Sequence, residues 1–169
     1  MTLSGTLTSL QNSVVNILQA DSFFNGLTSV NQKAIPIVTE KKGDIKEQID
    51  LCLGQVGIAV LVITPVFEFH NNEIDDLNGW AFINIGIYED AVVNQGVCGT
   101  GIFSIMLAER IVSILHGAPH GVLTGPVGGN PASTCFLGIP RPIEIVSEGP
   151  PLQYSIGFQA HVQLNPQAT

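Results

Sequence analysis

Near its C-terminal end the chain alternates without a break. Tyr154, Ile156, Phe158, Ala160, Val162 and Leu164 fall on one side, and Ser155, Gly157, Gln159, His161 and Gln163 on the other. Strand residues project to opposite faces with a period of two. A run of this kind predicts a strand with one face in a core and the other turned to water or to a polar partner. Trp80 to Tyr88 repeats the pattern. Ala81, Ile83, Ile85 and Ile87 form one face, and Trp80, Phe82, Asn84, Gly86 and Tyr88 the other.

Gly57 to Ile63 (GIAVLVI) is apolar on both strand faces, as in a central strand covered on both sides. It continues past Pro65 towards Phe69 and pairs with Trp80–Tyr88 as a long-looped antiparallel hairpin. The polar loop His70–Gly79 joins the two. Ala34 to Thr39 reads as a short edge strand, because Pro36 interrupts it. Pro142 to Val146 is a further strand, linked to the last by the Gly149-Pro150-Pro151 turn.

Three stretches carry the helical period. Leu7, Leu10, Val14, Ile17 and Leu18 make an apolar stripe over Leu7–Gln19. Asp44 to Leu53 follows a candidate N-cap, with Glu47 three residues on and Gly54 as the stop. Ile102 to His116 is the longest. Ile102 and Met106 fall on its polar side and need a second cover, either a loop of the same chain or a neighbouring subunit. Residues 117–142 are rich in Gly and Pro and read as a long loop or interaction arm. Strands joined by hairpins, with helices gathered on their faces, predict a single α+β domain over residues 1–169. Its sheet is mixed but mostly antiparallel.

The formal net charge of −8, with only six Lys or Arg, lacks the clustered cations of a phosphate-binding surface, so no sequence-specific nucleic-acid partner is expected. No apolar run approaches the roughly 20 residues of a membrane helix, and no signal peptide is expected at the N-terminus. Cys52, Cys98 and Cys135 are odd in number and lack CxxC spacing, which reads as reduced thiols in a cytosolic protein.

Candidate chemistry concentrates in Gly96-Val97-Cys98-Gly99-Thr100-Gly101, between a strand and a helix. Such a turn can bring backbone N–H groups to an anion. The Lys-Ser/Thr pair of a P-loop is missing, however, and a dinucleotide fingerprint would need glycine where Ser104 stands. Thr100 reads as the helix N-cap. Cys98 as a nucleophile needs a base. His116 lies at the far end of the helix, and nothing local favours His120 or His161. His116 and His120 have the spacing of a metal pair, but Gly117 and Pro119 break the helix between them. His116 is accounted for by the helix C-terminus. Glu68, Glu73, Asp75, Asp76, Glu89 and Asp90 read as a solvated acidic loop without an ordered calcium pattern. No catalytic residue, cofactor or metal is expected.

An N-terminal amphipathic helix (TLTSLQNSVVNILQ) is followed by a short helix and GIAVLVITP. Then come WAFINIGIYEDAVVNQG, GTGIFSIMLAERIVSILHG and the closing strand YSIGFQAHVQL. This succession, with Trp80, Glu89, Asn94, Gly96, Leu115, His116 and Gly117 as marker residues, resembles the tail-terminator (tail-completion) proteins of tailed bacteriophages and their prophage relatives. The resemblance spans roughly residues 7 to 164 and implies a non-enzymatic virion protein at the head-proximal end of the tail, assembled in the host cytoplasm. It further implies a homo-oligomeric ring, commonly a hexamer, whose partners are the tail tube protein and the head-tail connector protein. The arm at 117–142 departs from the simplest version of the pattern. It covers the sheet edge, reaches a neighbouring subunit or lines the ring. Expected interface residues are Ile102 and Met106 for subunit contact, and Gln159, His161 and Gln163 for a tube or lumen surface. The alternatives are a head-tail joining (neck) protein of similar fold, a Cys98-dependent hydrolase, or a small-ligand module using the turn at 96–101.

Overall fold

The computed structural model describes residues 5–71, 76–125 and 133–164. Its elements are α1 (Thr6–Ala20), β1 (Ile37–Val38), α2 (Ile45–Val56), β2 (Ile58–Val62), β3 (Val66–Phe69), β4 (Asn78–Glu89), α3 (Ala91–Asn94), α4 (Ser104–Leu115), β5 (Leu137–Ser147) and β6 (Leu152–Gln163). The fold is α+β. One sheet runs in the order β1-β2-β4-β6-β5, with β3 also on β4. Only β1 and β2 are parallel; every other pairing is antiparallel.

The alternation of β4 and β6 sets the layers. Across one row of the sheet stand Ile37, Val60, Ile87 and Tyr154, and across another Val62, Ile85 and Ile156. These residues face α1 and α4 in the main core. Each fully buried isoleucine of this kind stabilises the fold by about 1.5–3 kcal/mol. The opposite face carries Val38 and Leu61, and α2 covers it with Ile49 and Leu53. The apolar strand at 57–63 is thus covered on both faces, as its composition predicted.

The predicted strand running from Gly57 to Phe69 is interrupted. Residues 63–65 belong to neither ladder, so β2 pairs with Ile85–Glu89 of β4 and β3 with Gly79–Phe82. Pro65 has no N–H to give a ladder, which accounts for the break. α2 also runs to Val56, past the predicted stop at Gly54. Asp44 caps its start as expected, accepting from the Glu47 N–H at 2.8 Å. Gly54 is simply inside the helix, and Gly57 ends it in the left-handed region at φ 77°. A side chain at Gly57 would place Cβ only 2.1 Å from the backbone nitrogen of Asn94. Glycine is needed there for conformation and for contact.

Two side-chain clasps fix α1. Gln11 donates from Nε2 to the Val62 carbonyl at 2.9 Å and to Glu40 at 2.8 Å. The N–H and hydroxyl of Thr64 also donate to Glu40. Burial works to raise the Glu40 pKa, but these hydrogen bonds outweigh it and hold the carboxyl below its usual range. At the other end of α1, Asp21 pairs with Arg110 of α4 at 2.6 Å.

Candidate functional site

The glycine-rich turn is a buried polar knot. β4 keeps its period of two to its last residue, so Glu89 follows Ile83, Ile85 and Ile87 onto the core face. Its carboxyl accepts from Asn94 Nδ2 at 2.7 Å, from the Ser104 N–H at 3.0 Å and from the Ser104 hydroxyl. Asn94 also donates to the Ile102 carbonyl at 2.8 Å, and its Oδ1 accepts from the Thr100 hydroxyl at 2.6 Å. The turn closes tightly on Asn94: a Cβ on Gly99 would lie 2.0 Å from the Asn94 carbonyl oxygen.

This arrangement answers what the turn presents to a ligand. Helix N-termini favour negative charge because their first N–H groups lack partners. At α4 the chain fills that position itself, with the carboxyl of Glu89 accepting from the Ser104 N–H. Two expectations are corrected here. Thr100 is not the N-cap: it lies four residues before α4, where its hydroxyl accepts from the Ile102 N–H at 3.1 Å. Nor is Glu89 part of a solvated acidic loop, since it is 3% exposed. Asp90 caps α3 by accepting from the N–H groups of Val92 and Val93. Glu73 and Asp75 lie outside the described residues.

Cys98 is an exposed free thiol. The histidines weighed as its base are engaged elsewhere. His116 Nδ1 accepts from the Gly138 N–H at 2.9 Å, rather than serving only the end of α4. His120 and His161 are both buried. Among the described residues, no group of three or more His, Cys, Asp or Glu is placed to hold a metal ion.

The predicted interface residues separate. Ile102 is 4% exposed and packs into the main core, because the chain turns inward before α4 starts at Ser104. It is therefore no part of an exposed seam. Met106 is 46% exposed and lies beside Phe23, Glu109 and Arg110. His161 is fully buried despite its place on the polar face of β6, because Trp80, His70 and Thr124 close over it. Gln159 and Gln163 remain partly exposed. The arm also separates: residues 126–132 lie outside the described residues, 117–120 pair with 134–136, Leu123 and Thr124 reach the end of β6, and 137–142 belong to β5.

A surface not anticipated from the sequence lies at the end of the sheet near Glu89. Leu27, Val30, Val92 and Val97 are between 80% and 90% exposed, more than any other large hydrophobic among the described residues. Leu27 and Val30 lie in the loop after α1, Val92 in α3 and Val97 in the turn after it, and hydrogen bonds tie that loop to the turn. The Val30 N–H and the Ser29 hydroxyl donate to the Thr100 carbonyl at 3.1 and 3.0 Å. Asn31 Nδ2 donates to the carbonyls of Gly99 and Gly96 at 2.7 and 3.2 Å. The sequence does hold a signal for this surface. Neither Ser22–Gln32 nor Ala91–Ala108 contains a charged residue, in a chain of net charge −8.

Among the described residues, no helix is long and apolar enough to cross a membrane. No protein-family model matches the chain, and no curated protein matches it.

Proposed function

We propose that the chain is a virion assembly protein of the tail-terminator type. It works as a homo-oligomeric ring at the head-proximal end of a phage tail, stops growth of the tube and joins it to the head connector. The observation that carries this reading is the pair of tied, uncharged segments, the loop after α1 and α3 with the turn that follows it, which hold Leu27, Val30, Val92 and Val97 in solvent. Large apolar side chains held outward on a hydrogen-bonded scaffold mark a surface made for another protein. Copies of an acidic chain repel one another, and a face free of charge is where they approach at least cost. A head-to-tail contact of this kind forms a closed ring when its rotation closes.

The test has two parts. Native mass is measured by light scattering behind a sizing column across a range of concentrations, and a hexamer-sized particle is expected. The chain is then added to polymerising tube protein from the same genome, where it is expected to halt growth and to be seen at tube ends by electron microscopy. A strict monomer that leaves tube length unchanged overturns the reading.

A further inference from the structure

The segment that follows α4 carries a second feature, independent of assembly. Beyond the Leu137–Gln159 pair, β6 has no further partner in β5. Leu123 and Thr124 take that place, at the end of a segment whose start pairs with residues 134–136. The Gly117 N–H donates to the Phe136 carbonyl at 2.8 Å and the His120 N–H to the Thr134 carbonyl at 2.9 Å. The Gln163 N–H of β6 donates to the Leu123 carbonyl at 2.8 Å. Gly125 presses on Asn78, whose Oδ1 would lie 2.2 Å from a Cβ at that position.

Two histidines sit under this segment. His120 is 1% exposed; its Nδ1 accepts from the Val122 N–H at 3.1 Å, and its ring stands 5.7 Å from that of Phe136. His161 shares a 2.7 Å hydrogen bond between Nδ1 and the Thr124 hydroxyl, and packs 5.2 Å from Trp80 and 5.7 Å from His70. Nε2 of each ring is buried with no hydrogen-bond partner. The His120 ring faces the carbonyls of Ser133 and His161 but closes no hydrogen bond to them with good geometry.

We propose that His120 and His161 form an acid-released latch. With both rings neutral they hold residues 120–124 at the end of β6, and a ring that takes up a proton must leave its pocket and free the segment. A charged imidazole donates from both nitrogens. His120 Nδ1 already accepts from Val122, so a proton there breaks that bond. A second charge on His161 would be buried beside two other histidines. The groups facing His161 are His70 after β3, Asp76 before β4 and His120 on the segment itself; Asp76 alone opposes the effect. Burial pushes both histidines below the ordinary value, more strongly than neighbouring carbonyls or Asp76 hold them up. The sign follows directly. The open state binds protons that the closed state refuses, so the latch is whole above about pH 6.5 and weakens as the pH falls below it.

The chain holds one tryptophan, Trp80, which reports on the latch from beside His161. The experiment follows Trp80 fluorescence and amide hydrogen exchange from pH 8 to 5 on the full chain. Protection of the Gln163 and His120 amides is expected to fall about tenfold per pH unit for each histidine protonated only on opening. The amide of Ile85, deep in β4, is expected to keep its protection. A chain carrying H120N and H161N is expected to lose the acid step, while H70Q retains it. Constant protection at Gln163, a simultaneous loss at Ile85, or an unchanged acid step in the double variant overturns the latch. Should the double variant not fold, proton NMR of the wild-type rings decides. Titration of His120 and His161 at the ordinary value with no loss of protection also overturns it.

Discussion

The carboxyl of Glu89, the last residue of β4, accepts a hydrogen bond from the Ser104 N–H, the first of α4, at 3.0 Å. Strand end and helix start are joined by one buried side chain. Replacing Glu89 by alanine leaves the Ser104 N–H and hydroxyl without their acceptor, each at about 1–3 kcal/mol. The expected loss is roughly 2–5 kcal/mol, read as a lower urea midpoint. E89Q, which keeps an acceptor, is expected to lose less. Equal losses would show that a single acceptor oxygen cannot stand in for the two of the carboxyl.

Two glycines of α2 give opposite expectations. Gly54 has open space around its missing Cβ, so G54A is expected to stabilise by about 0.5–1 kcal/mol through helix propensity. Gly57 has φ 77° and a Cβ position 2.1 Å from the Asn94 nitrogen, so G57A is expected to destabilise severely. Thermal melts of the two variants check the pair. A mild G57A would mean that α3 moves aside freely.

How much of this was legible in the sequence depended on the range of the contact. The faces of β4 and β6 were readable because period two is local, and that period carried one residue further than it was read. Ile83, Ile85 and Ile87 already place position 89 on the core side, so burial of Glu89 was available from parity alone. The start of α4 was missed because Thr100 is a good cap by type, whereas the acceptor at the helix start comes from fifteen residues away. His161 lies on the polar face by parity, and it is Trp80, His70 and Thr124, the nearest of them 37 residues distant, that bury it. The apolar loops were missed because periodicity has nothing to say where no period exists; the absence of charge was the signal to follow.

The assembly surface gives the third expectation. L27D and V97D place a charge where a large apolar side chain is almost fully exposed, so the stability of the single subunit is expected to change by no more than about 0.5 kcal/mol. The native mass is expected to fall to that of the monomer. Unchanged mass in both variants would move the contact elsewhere, with Met106 the next residue to alter.

The Asp21–Arg110 pair gives an acid limb. Burial works to raise the Asp21 pKa, but hydrogen bonds from Arg110 and from the Phe23 and Ser22 backbone outweigh it and hold it below the usual carboxylate range. A depressed carboxyl adds stability that is present above its ordinary value and lost as the pH falls through the lower folded value. R110A is therefore expected to narrow the stability difference between pH 7 and pH 3, and high salt to shrink its effect. In a D21N background, R110A is expected to change little. A full R110A effect in that background would show that Arg110 acts through its stacking on Phe23, 5.4 Å from its guanidinium, and not through the ion pair.

Thiol chemistry gives the last expectation. Burial pushes the Cys52 thiol up, against the weaker pull of Lys42, while Cys98 stands in solvent. Iodoacetamide at pH 8 is expected to label Cys98 well before Cys52, as read by peptide mass spectrometry. The reverse order would mean that α2 opens readily.

Pro140 and Pro142 fall where the β5–β6 register breaks, between Gly138 and Ile143. A prolyl nitrogen offers no donor, so half of this rim is closed to a foreign strand. On this edge, pairing with a foreign strand, the hazard of any open rim in a crowded solution, is left the short stretch from Ile143 to Ser147 as a foothold. The two prolines thus make this outer edge a poor template for a foreign strand.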